Sequence, residues 1–244
     1  MPPRPVTIAI DGPSGSGKSS VSRAVAGRLG LRYLDTGAMF RAVTWWCLSR
    51  GMDLGDRDLV AEAADSIRLR MGTDPQDPSV EVDGERVDRP LRTAQISAQV
   101  SQVATNPQVR RILAAQQRRI IDQARGDGGI VVEGRDITTV IAPDAEHRVL
   151  LSASEEARLR RRAAELQAGG ETQKAAQLRD QVLRRDRDDS TVSSFQAPAP
   201  GVHGIDTSSL TFEESVAAVI AVVETPGETA ETRPHTEDPD EPAP

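Results

Sequence analysis

The chain opens on Val6-Thr7-Ile8-Ala9-Ile10, a β-branched and apolar run that predicts a buried strand. Apolar positions at Val21, Ala24, Val25 and Leu29 then recur at helical spacing, and Gly30 is placed to end that helix. Leu31-Arg32-Tyr33-Leu34 is a short second extended unit. The helix after it carries Met39, Val43, Trp46 and Cys47, with Asp35 or Thr36 as its cap, and stops near Gly51. Between about Asp56 and Arg92 the character changes. A helix through Leu59, Ala63 and Ile67 gives way to strand-like Arg68-Leu69-Arg70-Met71. Ser79-Val80-Glu81-Val82-Asp83, Gly84 and Glu85-Arg86-Val87 then alternate around Asp83-Gly84, a strong hairpin signal.

Helical periodicity resumes from Thr93 to about Ala124, with a break at Asn106-Pro107. Two more strands are predicted, one from Gly129 through Glu133-Gly134-Arg135-Asp136, the other at Arg148-Val149-Leu150-Leu151-Ser152. Ser154 opens a strongly charged helix with Glu155 and Glu156 in its first turn, where the helix dipole favours acids. Gly169-Gly170 break it, and a second charged helix runs to Arg184-Arg185-Asp186-Arg187-Asp188-Asp189. A last strand at Val202–Asp206 precedes a capping box, Thr211 to Glu214, and a final helix through Val216, Val219, Ile220 and Val223. Strands alternating with helices predict an α/β fold with a parallel sheet, interrupted by a small antiparallel module.

Composition narrows the functions available. Hydrophobic residues are 37% of 244, modest but enough for a sizeable core of Val, Ile, Leu and Ala. The aromatics are Tyr33, Phe40, Trp45, Trp46, Phe195 and Phe212, too few for a base-stacking nucleic-acid surface. The formal charge is −7, but from Glu224 onward there are seven acids and one arginine, which leaves thirty acids and twenty-nine bases before it. The body of the chain is therefore nearly neutral, and residues 224–244 read as a disordered acidic tail. Lone Cys47 excludes an intrachain disulfide and a cysteine metal cluster. Pro2, Pro3 and Pro5 stand where a signal peptide would begin its apolar run, and no stretch is long enough for a membrane helix. A cytoplasmic protein, monomeric and without nucleic-acid or membrane partners, is expected.

Candidate chemistry begins at Gly12-Pro13-Ser14-Gly15-Ser16-Gly17-Lys18-Ser19-Ser20, which matches the P-loop pattern G-x-x-x-x-G-K-[ST] between a strand and a helix. The glycines let backbone N–H groups converge on a polyphosphate at a helix N-terminus, Lys18 reaches the β- and γ-phosphates, and the Ser19 hydroxyl completes the shell of Mg²⁺. ATP and Mg²⁺ are the implied ligands. Glu133, at the end of a buried strand, suits the second motif of such proteins, an acid that holds Mg²⁺ through water; it could equally be a turn residue. No guanine-reading N-K-x-D stretch is present. A P-loop near the N-terminus with an arginine-rich helical pair near the C-terminus suits a small kinase, whose lid arginines close over phosphates. The charge run could otherwise be a solvated face.

Five stretches together resemble bacterial cytidylate kinases: I-D-G-P-S-G-S-G-K-S at 10–19, L-D-T-G-A-M-F-R at 34–41, S-Q-V-A at 101–104, P-Q-V-R at 107–110 and E-G-R-D at 133–136. The resemblance covers roughly residues 5–223. It implies a three-layer P-loop NTPase fold with a parallel sheet, an inserted antiparallel NMP-binding module and a helical lid. One domain, 1–223, would hold an acceptor-binding region at about 35–115 and the lid at about 153–192. It further implies phosphorylation of CMP and dCMP by ATP. By position, Thr36 and Arg41 would contact the acceptor nucleotide, Arg41 on its phosphate. Ser101, Arg110 and Asp136 would read the polar edge of cytosine, a carboxylate being able to accept from its amino group. Arg135 would bind phosphate, Arg185 would act from the lid, and Asp189 would contact the ribose hydroxyls. On the residues alone, Ser101 could be an ordinary helix residue, Arg110 an ion-pair partner of a nearby acid, and Asp136 a helix cap. Val192 stands where many family members have an acceptor-gripping arginine, so that either the contact is lost or another lid arginine such as Arg187 substitutes, and Phe40 stands where tyrosine is common. The alternatives are a P-loop kinase for UMP or a small metabolite, and an ATP-binding regulator without transfer activity.

Overall fold

The computed structural model describes residues 5–168 and 175–225. The break expected at Gly169-Gly170 and the acidic tail beyond Thr225 lie outside them. The elements are β1 (Val6–Asp11), α1 (Lys18–Leu29), β2 (Arg32–Asp35), α2 (Thr36–Ser49), α3 (Arg57–Ser66), β3 (Leu69–Met71), β4 (Val80–Val82), β5 (Glu85–Arg86), α4 (Ala94–Ala104), α5 (Pro107–Gly126), β6 (Gly129–Gly134), β7 (His147–Ser152), α6 (Glu155–Ala168), α7 (Ala175–Ser190), β8 (His203–Asp206) and α8 (Phe212–Glu224).

Five strands form a parallel sheet in the order β2-β6-β1-β7-β8. Side-chain alternation sends Ala9, Ile130 and Val132 to one face, where α2 and α5 cover them with α3 packed behind, and Ile8, Ile10, Val131 and Val149 to the other, beneath α1 and α8. Both faces are buried, which is why these strands read as unbroken apolar runs. The chain builds from β1 toward β2 and β6 on one side, then toward β7 and β8 on the other. Such a switch in direction leaves a crevice at the carboxyl end of β1, where ligands of open α/β sheets bind. Register brings three sequence-distant segments to that edge: Asp35 and Ile10 both align with Glu133, and Asp11 with Gly134.

The inserted module is a three-stranded antiparallel sheet, β3-β4-β5, as its alternation predicted. Asp83 and Gly84 both take positive φ, 54° and 89°, which matches the twist of a two-residue hairpin. The Asp83 carboxylate also accepts from the Arg68 amide and from Trp46 Nε1 at 3.0 Å, tying the hairpin to α2.

β6 ends at Gly134, two residues short of the predicted strand, and Ile137–Ile141 forms a π-helical turn that no periodicity announced. Its cause is Asp11. That carboxylate, fully buried at the end of β1, accepts from the Ile137 amide (3.0 Å), the Thr138 amide (2.8 Å) and the Thr138 hydroxyl (2.7 Å). Asp11 so fixes the segment holding Arg135 and Asp136 against the P-loop. Burial outweighs these bonds and raises its pKa from 3.8 to about 6. The part of its contribution that depends on ionisation is therefore fullest below pH 3.8 and is lost as pH rises through about 6, while its hydrogen bonds to Ile137 and Thr138 persist. Asp11→Ala strands two buried amides, and thermal unfolding at pH 7 is expected to show a loss of about 2 kcal/mol. In Asp11→Asn the decline in stability between pH 4 and 6 should flatten, because this group no longer ionises.

Candidate active site

The P-loop is held open by close backbone approaches. A Cβ on Gly12 would sit 2.3 Å from Leu151 O, and one on Gly15, at φ 77°, would sit 2.8 Å from Arg158 O. Only glycine fits either place. Lys18 begins α1 and is half-buried; its Nζ lies 3.4 Å from Pro13 O. Burial, reinforced by the charge of Arg135, lowers its pKa from 10.5 to about 8. Ser16 Oγ in the same loop is buried and has no hydrogen-bond partner among the described residues.

A cleft of about 580 Å³ opens beside this loop. Its walls include Lys18, Ser19, Thr36, Arg41, Arg110, Glu133, Arg135, Asp136, Arg185 and Asp189, so most of the residues picked from sequence meet in one place. Glu133 is buried at the end of β6. Tyr33 Oη donates to its Oε1 at 2.9 Å, and Ser19 lines the cleft beside it. Burial, then the nearby Asp35 charge, pushes the Glu133 carboxyl up. Burial also works to raise Asp35, but Arg41, the Ala38 amide and Lys18 outweigh it and hold Asp35 below its ordinary range. Asp35 caps α2 and pairs with Arg41 Nη2 at 2.6 Å, while Arg41 Nε is buried without a hydrogen bond. Thr36 donates to Glu133 O at 2.8 Å, which locks α2 to β6.

At the far wall Arg110 Nη2 pairs with Asp136 Oδ2 at 2.5 Å and donates to Ser193 Oγ at 3.1 Å. Burial raises the Asp136 carboxyl, with Arg110 opposing. Asp136 makes no side-chain cap to the turn behind it, so its carboxylate is committed to Arg110 and the cleft. Ser101 does not line the cleft. It stands behind Asp189, its Oγ 3.4 Å from Asp189 Oδ1.

The two charged helices fold back over the P-loop. Arg135 Nη1 donates to Gly12 O at 2.9 Å, and its Nε pairs with Asp189 Oδ2 at 2.8 Å. Arg185 Nε lies 3.7 Å from the same oxygen; burial, then Arg135, lowers its pKa to about 10. Arg161 Nη1 donates to Ser16 O at 3.1 Å. The solvated-face reading of the charge run thus fails for these residues. Arg187, the candidate substitute for the missing lid arginine, is exposed and does not line the cleft: two residues from Arg185, it faces the other side of α7. Asp11, Tyr33, Asp186 and Ser193 escaped sequence reasoning. For Asp11 the signal was present, an acid ending an apolar strand directly before the first P-loop glycine.

The family model for cytidylate kinases matches residues 8–225. The chain belongs to the cytidylate kinase family. Within that family, a cytidylate kinase of Cutibacterium acnes is 49% identical over 225 residues, covering 91% of this chain and 98% of its own. One from Streptomyces griseus is 44% identical over 220 residues, covering 90% and 93%. Among solved structures, an uncharacterized protein from Eubacterium ventriosum overlays 91% of this chain and 99% of its own at TM-score 0.50 and 10% identity, a likeness of fold alone. No described helix is long and apolar enough to cross a membrane.

Proposed function

We propose that the chain transfers the terminal phosphate of ATP to CMP and dCMP, giving ADP and the cytidine diphosphates. The observation that carries this reading is one cleft with the P-loop lysine at one end and a half-buried Arg110–Asp136 pair at the other. A guanidinium donor beside a carboxylate acceptor suits a base edge that sets a ring-nitrogen acceptor next to an exocyclic amino group, as cytosine does. Lys18, Arg41, Arg135 and Arg185 provide four cations for the phosphates, and Gly12–Ser20 cradles the donor. Asp189 meets the acceptor sugar, with Ser101 behind it. The segment 35–115 serves as the acceptor-binding region and 153–192 as the lid.

Mg²⁺ arrives with ATP in this reading, and the donor set suits it. The Ser19 hydroxyl and the Glu133 carboxylate are hard oxygens lining the same cleft, and the Glu133 side chain is held by Tyr33 rather than by an arginine. When bound, the ion neutralises charge on the transferring phosphate. The protein's own part is positioning: the acceptor phosphate is already an anion, so no general base is needed.

The test is a coupled assay of the purified protein with ATP and a panel of CMP, dCMP, UMP and AMP. CMP and dCMP should exceed UMP in kcat/KM by about 100-fold or more. Absence of turnover with both cytidine nucleotides would overturn the reading. An acceptor outside the nucleotides and a purely regulatory ATP-binding role are not favoured, since the curated relatives over nine-tenths of the chain are cytidylate kinases.

A further inference from the structure

Asp186, on the last turns of α7, has no part in the reaction as described so far, yet three elements converge on it. Its Oδ1 accepts from the Ser14 amide of the P-loop at 3.1 Å and lies 3.3 Å from Arg135 Nη2. Its Oδ2 pairs with Arg158 Nη1 from α6, and that nitrogen also donates to Ser14 O at 3.1 Å. The residue is only 8% exposed, so water does not compete for these contacts as it would on a surface. Both oxygens are occupied, and the closed ring Ser14–Asp186–Arg158 joins the end of one lid helix and the start of the other to the phosphate loop.

Arg135 is held between two carboxylates, Asp189 at its Nε and Asp186 at its Nη2. In the proposed complex Asp189 turns to the acceptor sugar, which weakens its hold on Arg135. Asp186 then remains as the anchor that keeps this cation over Gly12. We propose that Asp186 is a positioning residue for phosphoryl transfer: it docks the lid onto the P-loop and orients Arg135 and Arg158, without itself touching substrate. The inference rests on the kinase reading above. Transfer of this kind depends on placing charges and excluding water, so its loss should appear in turnover more than in binding.

Asp186→Asn keeps the size and one acceptor but removes the charge that pairs both arginines. Its kcat with CMP is expected to fall about 10- to 100-fold, while KM for ATP and CMP moves less than about threefold. Hydrolysis of ATP without acceptor should rise relative to transfer, since a loosened lid admits water, and Asp186→Glu should restore part of kcat. Hydrogen exchange in peptides spanning 12–20 and 155–164 of the nucleotide-free variant should quicken. A merely structural role would lower the melting temperature and leave kcat per folded enzyme and the hydrolysis-to-transfer ratio unchanged. That result, or unchanged exchange in both segments, overturns the proposal. If the parent protein turns over neither CMP nor dCMP, the kinase reading fails, and the exchange comparison still decides whether Asp186 docks the lid.

Discussion

Lys18→Met is expected to reduce kcat for CMP phosphorylation by about 10³-fold, with the fold intact. The lysine is the cation at the start of α1, at the point where β1, β2 and β6 end. Methionine fills its volume without its charge. The stability effect should run the other way. Lowering the pKa from 10.5 to about 8 means that the folded protein disfavours the charged form by roughly 3 kcal/mol. The variant should melt at the same temperature as the parent or higher. Between about pH 8 and 10.5 the unfolded chain keeps a proton that the folded chain has released, so parental stability gains from this group as pH rises, and Lys18→Met should lack that gain. Because the protonated form meets phosphate, kcat/KM for ATP in the parent should fall above about pH 8. Steady-state kinetics and thermal unfolding of the two proteins read both arms; a variant within tenfold of the parental kcat would remove Lys18 from the transfer step.

Asp136→Ala should cost about 10²- to 10³-fold in kcat/KM for CMP. Two losses combine. The acceptor for the cytosine amino group disappears, and Arg110, 20% exposed in its side chain, is left without its ion-pair partner. UMP has no amino group to lose, so its kcat/KM should decline less and the preference for CMP should narrow. Asp136→Asn retains a shape close to the original and should lie between the two. The measurement is the CMP-to-UMP ratio of kcat/KM across the three proteins. An unchanged ratio in Asp136→Ala would move base recognition to other groups on the cleft, with Ser193 on Arg110 the next to examine.

The strand–loop–helix around residues 6–29 was legible because everything that makes it is local: apolar runs, glycines at fixed spacing and a helix-ending Gly30. The Asp83-Gly84 hairpin and the Thr211–Glu214 capping box were legible for the same reason, since each is closed by bonds spanning a few residues. The site residues were reached differently. Arg110, Arg135, Asp136 and Asp189 have no local signature, and the resemblance of five short stretches to a family supplied them. Arg110 shows the gap between the two routes. Its pairing with an acid was one of two open readings; the acid is Asp136 and both line the cleft, so the pair and the proposed reading of cytosine are compatible.

By itself the sequence determined the order of strands and helices, the inserted antiparallel module and the phosphate-binding loop, all consequences of period, turn chemistry and capping over a few residues. Tertiary structure decided which side chains meet. Asp11 with Thr138, Tyr33 with Glu133 and Ser14 with Asp186 are separated by 127, 100 and 172 residues, and their contacts follow from the parallel register of β1, β2 and β6 and from the folding back of α6 and α7. Hydrophobic periodicity carries no record of such pairings. A buried carboxylate and an exposed one are the same letter until the sheet edge and the lid surround one of them.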